Sequence, residues 1–134
     1  LSYEKKKISK NKIINMEIKK TGKLFSFCCM VPAIIKKKSQ REIIFFENIG
    51  ANIGLLFQIA DDLIDFKGKS NIAGKKTGKD KKKGKATLIS LLGYENAIRY
   101  SNKIKSKTIY DLKEYSSNSK DISETLDYIL NRKK

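Results

Sequence analysis

Pro32 is the only proline in 134 residues. Apolar residues recur along almost the whole chain three and four positions apart. A sequence with so little to break a helix, and with that period, is constrained to an all-α fold. Ile13, Ile14, Ile18, Leu24, Phe25 and Phe27, then the run to Val31, predict a first helix from about Ser9 to Ile35, with Ser9 as its N-cap and Pro32 as the place for a bend. Lys36, Lys37 and Lys38 interrupt it. Ser39 with Glu42 three residues on has the spacing of a capping box, and predicts a second long helix running to about Phe66. Within that helix Gly50 and Gly54 fall on one face, which predicts close approach of a neighbouring helix.

From Lys67 to Lys85 the chain changes character. Four glycines, nine lysines and the single acid Asp80 leave almost nothing apolar, so the stretch reads as a cationic loop. Leu88, Ile89, Leu91 and Leu92 restore the apolar pattern, Gly93 breaks it, and Ala97, Ile104, Ile109 and Leu112 carry it to a polar stretch at Ser116 to Ser119. Asp121 to Leu130 is a last amphipathic helix, with Arg132, Lys133 and Lys134 suitably placed at its C-terminal end. The sum is about five helices and no strand, one partial domain over residues 1–134. A start at Leu1 rather than Met is expected of a piece of a longer protein.

The formal net charge is +16, with lysine far outnumbering arginine. Such a surface concentrates any polyanion near it, whether nucleic acid, anionic membrane or diphosphate, and charge alone does not choose among them. A lysine-rich composition with abundant Ile and Asn is also what an AT-rich genome produces without selection for a ligand. No run of about 18 uncharged apolar residues occurs and the first residues lack a signal-like apolar core, so a cytoplasmic protein with no membrane span is expected. Cys28 and Cys29 are adjacent in an apolar stretch and are expected to be buried free thiols.

The chemistry concentrates in Phe57-Gln58-Ile59-Ala60-Asp61-Asp62-Leu63-Ile64-Asp65, near the end of the second helix. Asp61 and Asp65 are four apart, Asp62 and Asp65 three apart, and Gln58 precedes Asp62 by four, so helical geometry lets all four share a face. Carboxylates crowded on one face repel unless a cation neutralises them, and magnesium, which accepts one or two carboxylates together with phosphate oxygens, suits such a site. The plainer reading is an acidic helix end that is solvated or paired with Lys67 and Lys69.

Beyond this motif come Gly74-Lys75, Asp80 and Gly84-Lys85-Ala86-Thr87, and Lys19-Lys20-Thr21-Gly22 lies upstream. In order and spacing this set closely resembles the trans-prenyltransferases of the farnesyl and geranylgeranyl diphosphate synthase family, from about Ile8 through Gly93 and more weakly to the C-terminus. The resemblance implies the second, C-terminal half of an isoprenoid synthase helical bundle. It also implies a magnesium-dependent, head-to-tail condensation of an allylic diphosphate with isopentenyl diphosphate. Carried over position by position, it makes Asp61, Asp62 and Asp65 the Mg2+ cluster. Gln58 would lie beside the reacting chain and its diphosphate, Lys20 and Lys75 would be the lysines that neutralise the leaving diphosphate, Thr21 the threonine beside the nascent cation, and Lys85 a lysine of the closing active-site loop at 67–85. A homodimer is implied for the intact enzyme.

The family uses two aspartate-rich motifs facing each other, and only one is present here. Alone, this chain is therefore expected not to run a full catalytic cycle. Two further readings stand beside it. One is a basic binding module in which the lysine-rich stretch holds nucleic acid, which calls for aromatic stacking residues where the sequence offers only Phe66, so no nucleic-acid partner is expected. The other is a non-catalytic subunit whose apolar helices pack on a synthase partner.

Overall fold

The computed structural model describes residues 9–73, 87–115 and 120–132. All regular structure among the described residues is helical: α1 (Lys10–Glu17), a π-helical turn (Ile18–Gly22), α2 (Lys23–Ile35), α3 (Gln40–Ala73), α4 (Leu88–Leu92), α5 (Tyr94–Tyr115) and α6 (Lys120–Asn131).

The predicted first helix exists from end to end, but its irregularity lies elsewhere than expected. Ser9 caps it, its side chain accepting from the Lys12 amide. The chain then widens into the π turn at Ile18–Gly22 and continues through Pro32 as α2. Single π turns inside α-helices occur frequently at functional sites. This one contains Lys20 and Thr21. The C-terminus of α2 is closed by two bonds, Lys38 N to Ala33 O at 3.0 Å and Lys37 N to Ile34 O at 2.9 Å, with Lys37 in the left-handed region at φ 50°. This is the Schellman pattern, which supplies donors to carbonyls that the helix leaves unpaired.

One residue later the capping box forms as its spacing predicts. The Ser39 amide donates to Glu42 Oε2 at 2.9 Å and the Glu42 amide to Ser39 Oγ at 3.3 Å. The turn folds α3 back along α2, where the two glycines allow contact between backbones. A Cβ built on Gly50 would stand 2.4 Å from the Phe25 carbonyl oxygen, and one on Gly54 2.6 Å from Gly22 Cα.

α3 is the axis of the fold and buries two faces. One joins Leu55 and Ile59 to Ile13 of α1 and Leu88 of α4, and the other joins Leu56 and Ala60 to Leu126 and Ile129 of α6. Leu56 and Leu126 are 0% exposed. This two-sided burial explains why Gln40–Gly68 is long and apolar enough to pass for a membrane span by length and composition. A short polar link connects α3 to α5 inside the bundle, Asn52 Nδ2 donating to Thr108 Oγ1 at 3.3 Å.

α3 runs to Ala73, past the predicted end at Phe66, so the first part of the expected 67–85 loop is helical. Nothing between Lys67 and Ala73 forbids a helix: no proline occurs there, and a Cβ on Gly68 would meet no atom within 4 Å. Phe66 also stacks on Tyr94 at the start of α5, with ring centroids 5.4 Å apart. That contact ties down the extra turns, as propensity alone does not. The rest of the expected loop lies outside the described residues.

Gly93 is the break the sequence predicts, at φ 81°, between α4 and α5. α4 itself is capped by reciprocal bonds between Thr87 and Ser90. The predicted last helix extends by one residue at each end, to Lys120–Asn131. The cysteines require a correction: both are free, but Cys28 is exposed and Cys29 only partly covered. Ser26 and Ala33 are the buried positions of α2, and the face turned away from α3 carries Leu24, Phe27 and Cys28 outward.

Candidate active site

The predicted motif residues lie where α3 passes the π turn and the end of α6. The close approach at Gly54 and Gly22 brings the π turn against α3, so that Thr21, next to Gly22 in the chain, faces Gln58 one helical turn beyond Gly54. The Thr21 hydroxyl donates to Gln58 Oε1 at 3.2 Å, and the Gln58 amide group donates to Asp62 Oδ1 at 3.3 Å. A threonine on one helix and a carboxylate on another are thereby joined through one glutamine. With its oxygen turned to the hydroxyl and its nitrogen to the carboxylate, Gln58 satisfies a donor and an acceptor at once.

Asp61 is turned the other way. Adjacent residues on a helix diverge by about 100°, and here Asp61 faces α6, where the Arg132 guanidinium is its ion-pair partner. Arg132 also donates to the Phe57 carbonyl oxygen at 3.5 Å and lies over the Phe57 ring, 4.1 Å from its centroid. Asp65 and Lys20 are exposed at the rim of this region. A cleft of about 580 Å³ lies on the other side of α3, lined by Ala60, Ile64, Tyr94, Ser101, Leu130 and Arg132 among others; Arg132 is the residue it shares with this region.

Thr21, Gln58 and Asp62 are thus brought together, and Asp61 and Asp65 stand on the same stretch of helix. Lys20 shares the π turn with Thr21 but is outside the chain of bonds. Lys75 and Lys85 lie outside the described residues. The three aspartates expected to form the Mg2+ cluster lie within five residues of α3; among the described residues no group of three His, Cys, Asp or Glu side chains is arranged to hold a metal ion. Asp62 is bonded to Gln58 and Asp61 to Arg132.

Arg132 is the residue that sequence reasoning assigned to the wrong task. Read as a helix-terminal charge, it is in fact the partner of a carboxylate 71 residues away. No local pattern signals such a pairing. Phe66, the one aromatic available to a nucleic-acid reading, is engaged with Tyr94.

Comparison with known proteins identifies the family. Residues 1–129 match the polyprenyl synthetase family model. The farnesyl diphosphate synthase of Micrococcus luteus is 32% identical over 131 residues, which cover 98% of this chain and 45% of that protein. Geranylgeranyl pyrophosphate synthase 4 of Arabidopsis thaliana is 32% identical over 118 residues, 87% of this chain and 32% of that one. Among solved structures, the geranyltransferase of Helicobacter pylori in complex with magnesium and isoprenyl diphosphate superimposes with a TM-score of 0.69 at 26% identity, over 97% of this chain and 43% of that one. The chain spans less than half the length of these relatives. With an all-helical fold, the motif order read from its sequence and a family match over nearly its whole length, this chain belongs to the polyprenyl synthetase family.

Proposed function

We propose that this chain supplies the diphosphate- and magnesium-binding half of a short-chain isoprenoid diphosphate synthase, a prenyltransferase joining an allylic diphosphate to isopentenyl diphosphate. The observation that carries the reading is the Thr21–Gln58–Asp62 chain of hydrogen bonds, which ties the π turn to the acidic segment.

The donor set fits magnesium. Asp61 and Asp65 offer hard carboxylate oxygens at partly or fully exposed positions, and a cation is already paired with Asp61. Magnesium is commonly held by one or two carboxylates plus substrate phosphates, so an incomplete protein cage agrees with a shared site. When bound, the ion stabilises negative charge on the departing diphosphate.

The chain's own residues do the rest. Gln58 holds the Asp62 carboxylate in place, and Thr21 sets which way the Gln58 amide points. Lys20, exposed on the π turn, is the cation for a diphosphate oxygen, with Lys75 and Lys85 in the same role. As the allylic carbon–oxygen bond breaks, its electron pair leaves with diphosphate, and these positive groups act on the charge that develops there. The isopentenyl double bond attacks the carbocation to form the new carbon–carbon bond, and diphosphate takes the proton that restores the double bond. The facing half of the site, with a second aspartate-rich motif, is contributed by sequence that this chain does not contain, and the intact enzyme is a cytoplasmic homodimer in this reading.

Calorimetric titration of the chain with a non-hydrolysable allylic diphosphate analogue, with and without magnesium, tests this. Magnesium-dependent binding that disappears in Asp61→Ala is the expected result. Binding that ignores magnesium and is displaced by an oligonucleotide overturns it in favour of a basic binding module.

A further inference from the structure

Arg132 follows the last residue of α6, a place where an arginine side chain ordinarily extends into water and interacts weakly with the helix dipole. Here it is only 18% exposed, although the carboxylate it meets is 46% exposed. Three contacts hold it: the ion pair to Asp61, the hydrogen bond to the Phe57 carbonyl and the face of the Phe57 ring. Phe57 and Asp61 are one turn apart on α3, so the guanidinium spans that turn, over the ring and against the carboxylate. Lysine lacks the planar fork and the stacking face for this arrangement.

The seat is built from the core outward. Leu126 and Ile129 of α6 pack on Leu56 and Ala60 of α3, and Leu130 adjoins the same cluster. Arg132, a few residues on, is delivered to Asp61 by that packing. Of thirty basic residues in the chain only three are arginines (Arg41, Arg99 and Arg132). One of them stands on the carboxylate that the proposed function assigns to magnesium.

We infer that Arg132 is the resident counter-ion of Asp61, bonded to one of its two carboxylate oxygens and so lowering the affinity of the site for a divalent cation. A magnesium ion and a guanidinium compete for the negative charge of one carboxylate and repel each other across it, because magnesium requires its oxygen ligands at about 2.0–2.1 Å. Metal binding therefore includes the cost of weakening the Arg132–Asp61 pair. Arg132 is a positioning residue in this scheme, acting through Asp61. The inference rests on Asp61 being a metal-binding carboxylate, and the experiment separates the two claims.

Mg2+ is titrated calorimetrically, without any diphosphate, into the 134-residue chain and into its Arg132→Gln, Arg132→Lys and Asp61→Asn variants. Arg132→Gln is expected to bind Mg2+ roughly three- to ten-fold more tightly than the parent, the range set by loss of a partly buried ion pair. Arg132→Lys should fall between them, and Asp61→Asn should bind least. Equal or weaker binding by Arg132→Gln, with the parent binding and Asp61→Asn not, overturns the inference and leaves the proposed function intact. Failure of all four chains to bind Mg2+ also overturns the inference, while the proposed function stands or falls on the titration with the diphosphate analogue. Should Arg132→Gln unfold, the Nε–H resonance of Arg132 in the unmodified chain gives the same answer: it must shift during Mg2+ titration and saturate with it, and a resonance that stays fixed while metal binds overturns the inference.

Discussion

Thr21 and Gln58, 37 residues apart in sequence, meet through a hydroxyl-to-amide hydrogen bond of 3.2 Å that orients the glutamine towards Asp62. A bend in the first helix alone does not bring this about. The extra residue of the π turn and the missing side chains of Gly22 and Gly54 together set the distance between the helices. Thr21→Val removes the donor and keeps the shape, so it is expected to cost about 1 kcal/mol of stability and to weaken magnesium-dependent diphosphate binding. Thr21→Ser should retain both. Urea denaturation and the calorimetric titration measure them, and identical behaviour of the two variants would count against the bond.

Gly50 and Gly68 lie on the same helix, yet the same substitution should act on them in opposite directions. At Gly50 a Cβ meets the Phe25 carbonyl at 2.4 Å and Ser26 Cα at 2.6 Å, backbone atoms that yield only if α2 moves. Gly50→Ala is expected to destabilise by about 1–3 kcal/mol through overpacking. Gly68 is exposed and helical with space around it, so Gly68→Ala should stabilise by about 0.5–1 kcal/mol. Thermal melting followed by circular dichroism decides, and matching signs for the pair would be fatal to the backbone-contact account.

Stability should fall in acid partly through Glu42. A hydrogen bond from Tyr115, then bonds from Ser39 and Lys38, hold its carboxyl down to about 2. Its partners are close: Tyr115 Oη at 2.8 Å, Ser39 Oγ at 2.8 Å and Lys38 Nζ at 3.2 Å. A folded-state value below the unfolded one means that the stabilisation is complete above the ordinary glutamate value of about 4.3 and is lost as pH falls from there towards about 2. The urea midpoint should therefore drop across that window, and less steeply in Tyr115→Phe. An unchanged slope in that variant would exclude Glu42 as a contributor.

The adjacent thiols should react unequally. Cys28 is exposed, while burial, and secondarily the charge of Cys28, push the Cys29 thiol up. A raised value leaves less thiolate at a given pH, and thiolate is the nucleophile. Alkylation with iodoacetamide near neutral pH should be several-fold faster for the chain carrying Cys29→Ser than for the chain carrying Cys28→Ser, on the order of the thiolate difference. Intact-mass measurements give both rates, and equal rates would contradict this assignment.

The helices, their caps and their breaks were legible without coordinates because each depends on residues within a turn of one another. Ser9, the Ser39–Glu42 box and the Gly93 break all behave as their spacing predicts. The motif spacing also carried the family, since Gln58 and the three aspartates lie within two turns of a single helix. Where local rules failed, packing had overridden them: α3 continues to Ala73 beside the Phe66–Tyr94 stack, and α2 presents Cys28 outward although its neighbours are apolar.

What the sequence determined by itself is therefore the helical content, the element order and the segment that carries the chemistry. Tertiary structure alone decided which side of that segment each carboxylate faces and what it meets there. Asp62 reaches Gln58 one turn away, but Gln58 is oriented by Thr21 from another helix, and Asp61 is paired with Arg132 from the far end of the described chain. Such contacts depend on how α1, α3 and α6 pack, and interhelical packing is a sum of many weak contacts spread along the chain that no short stretch of residues encodes.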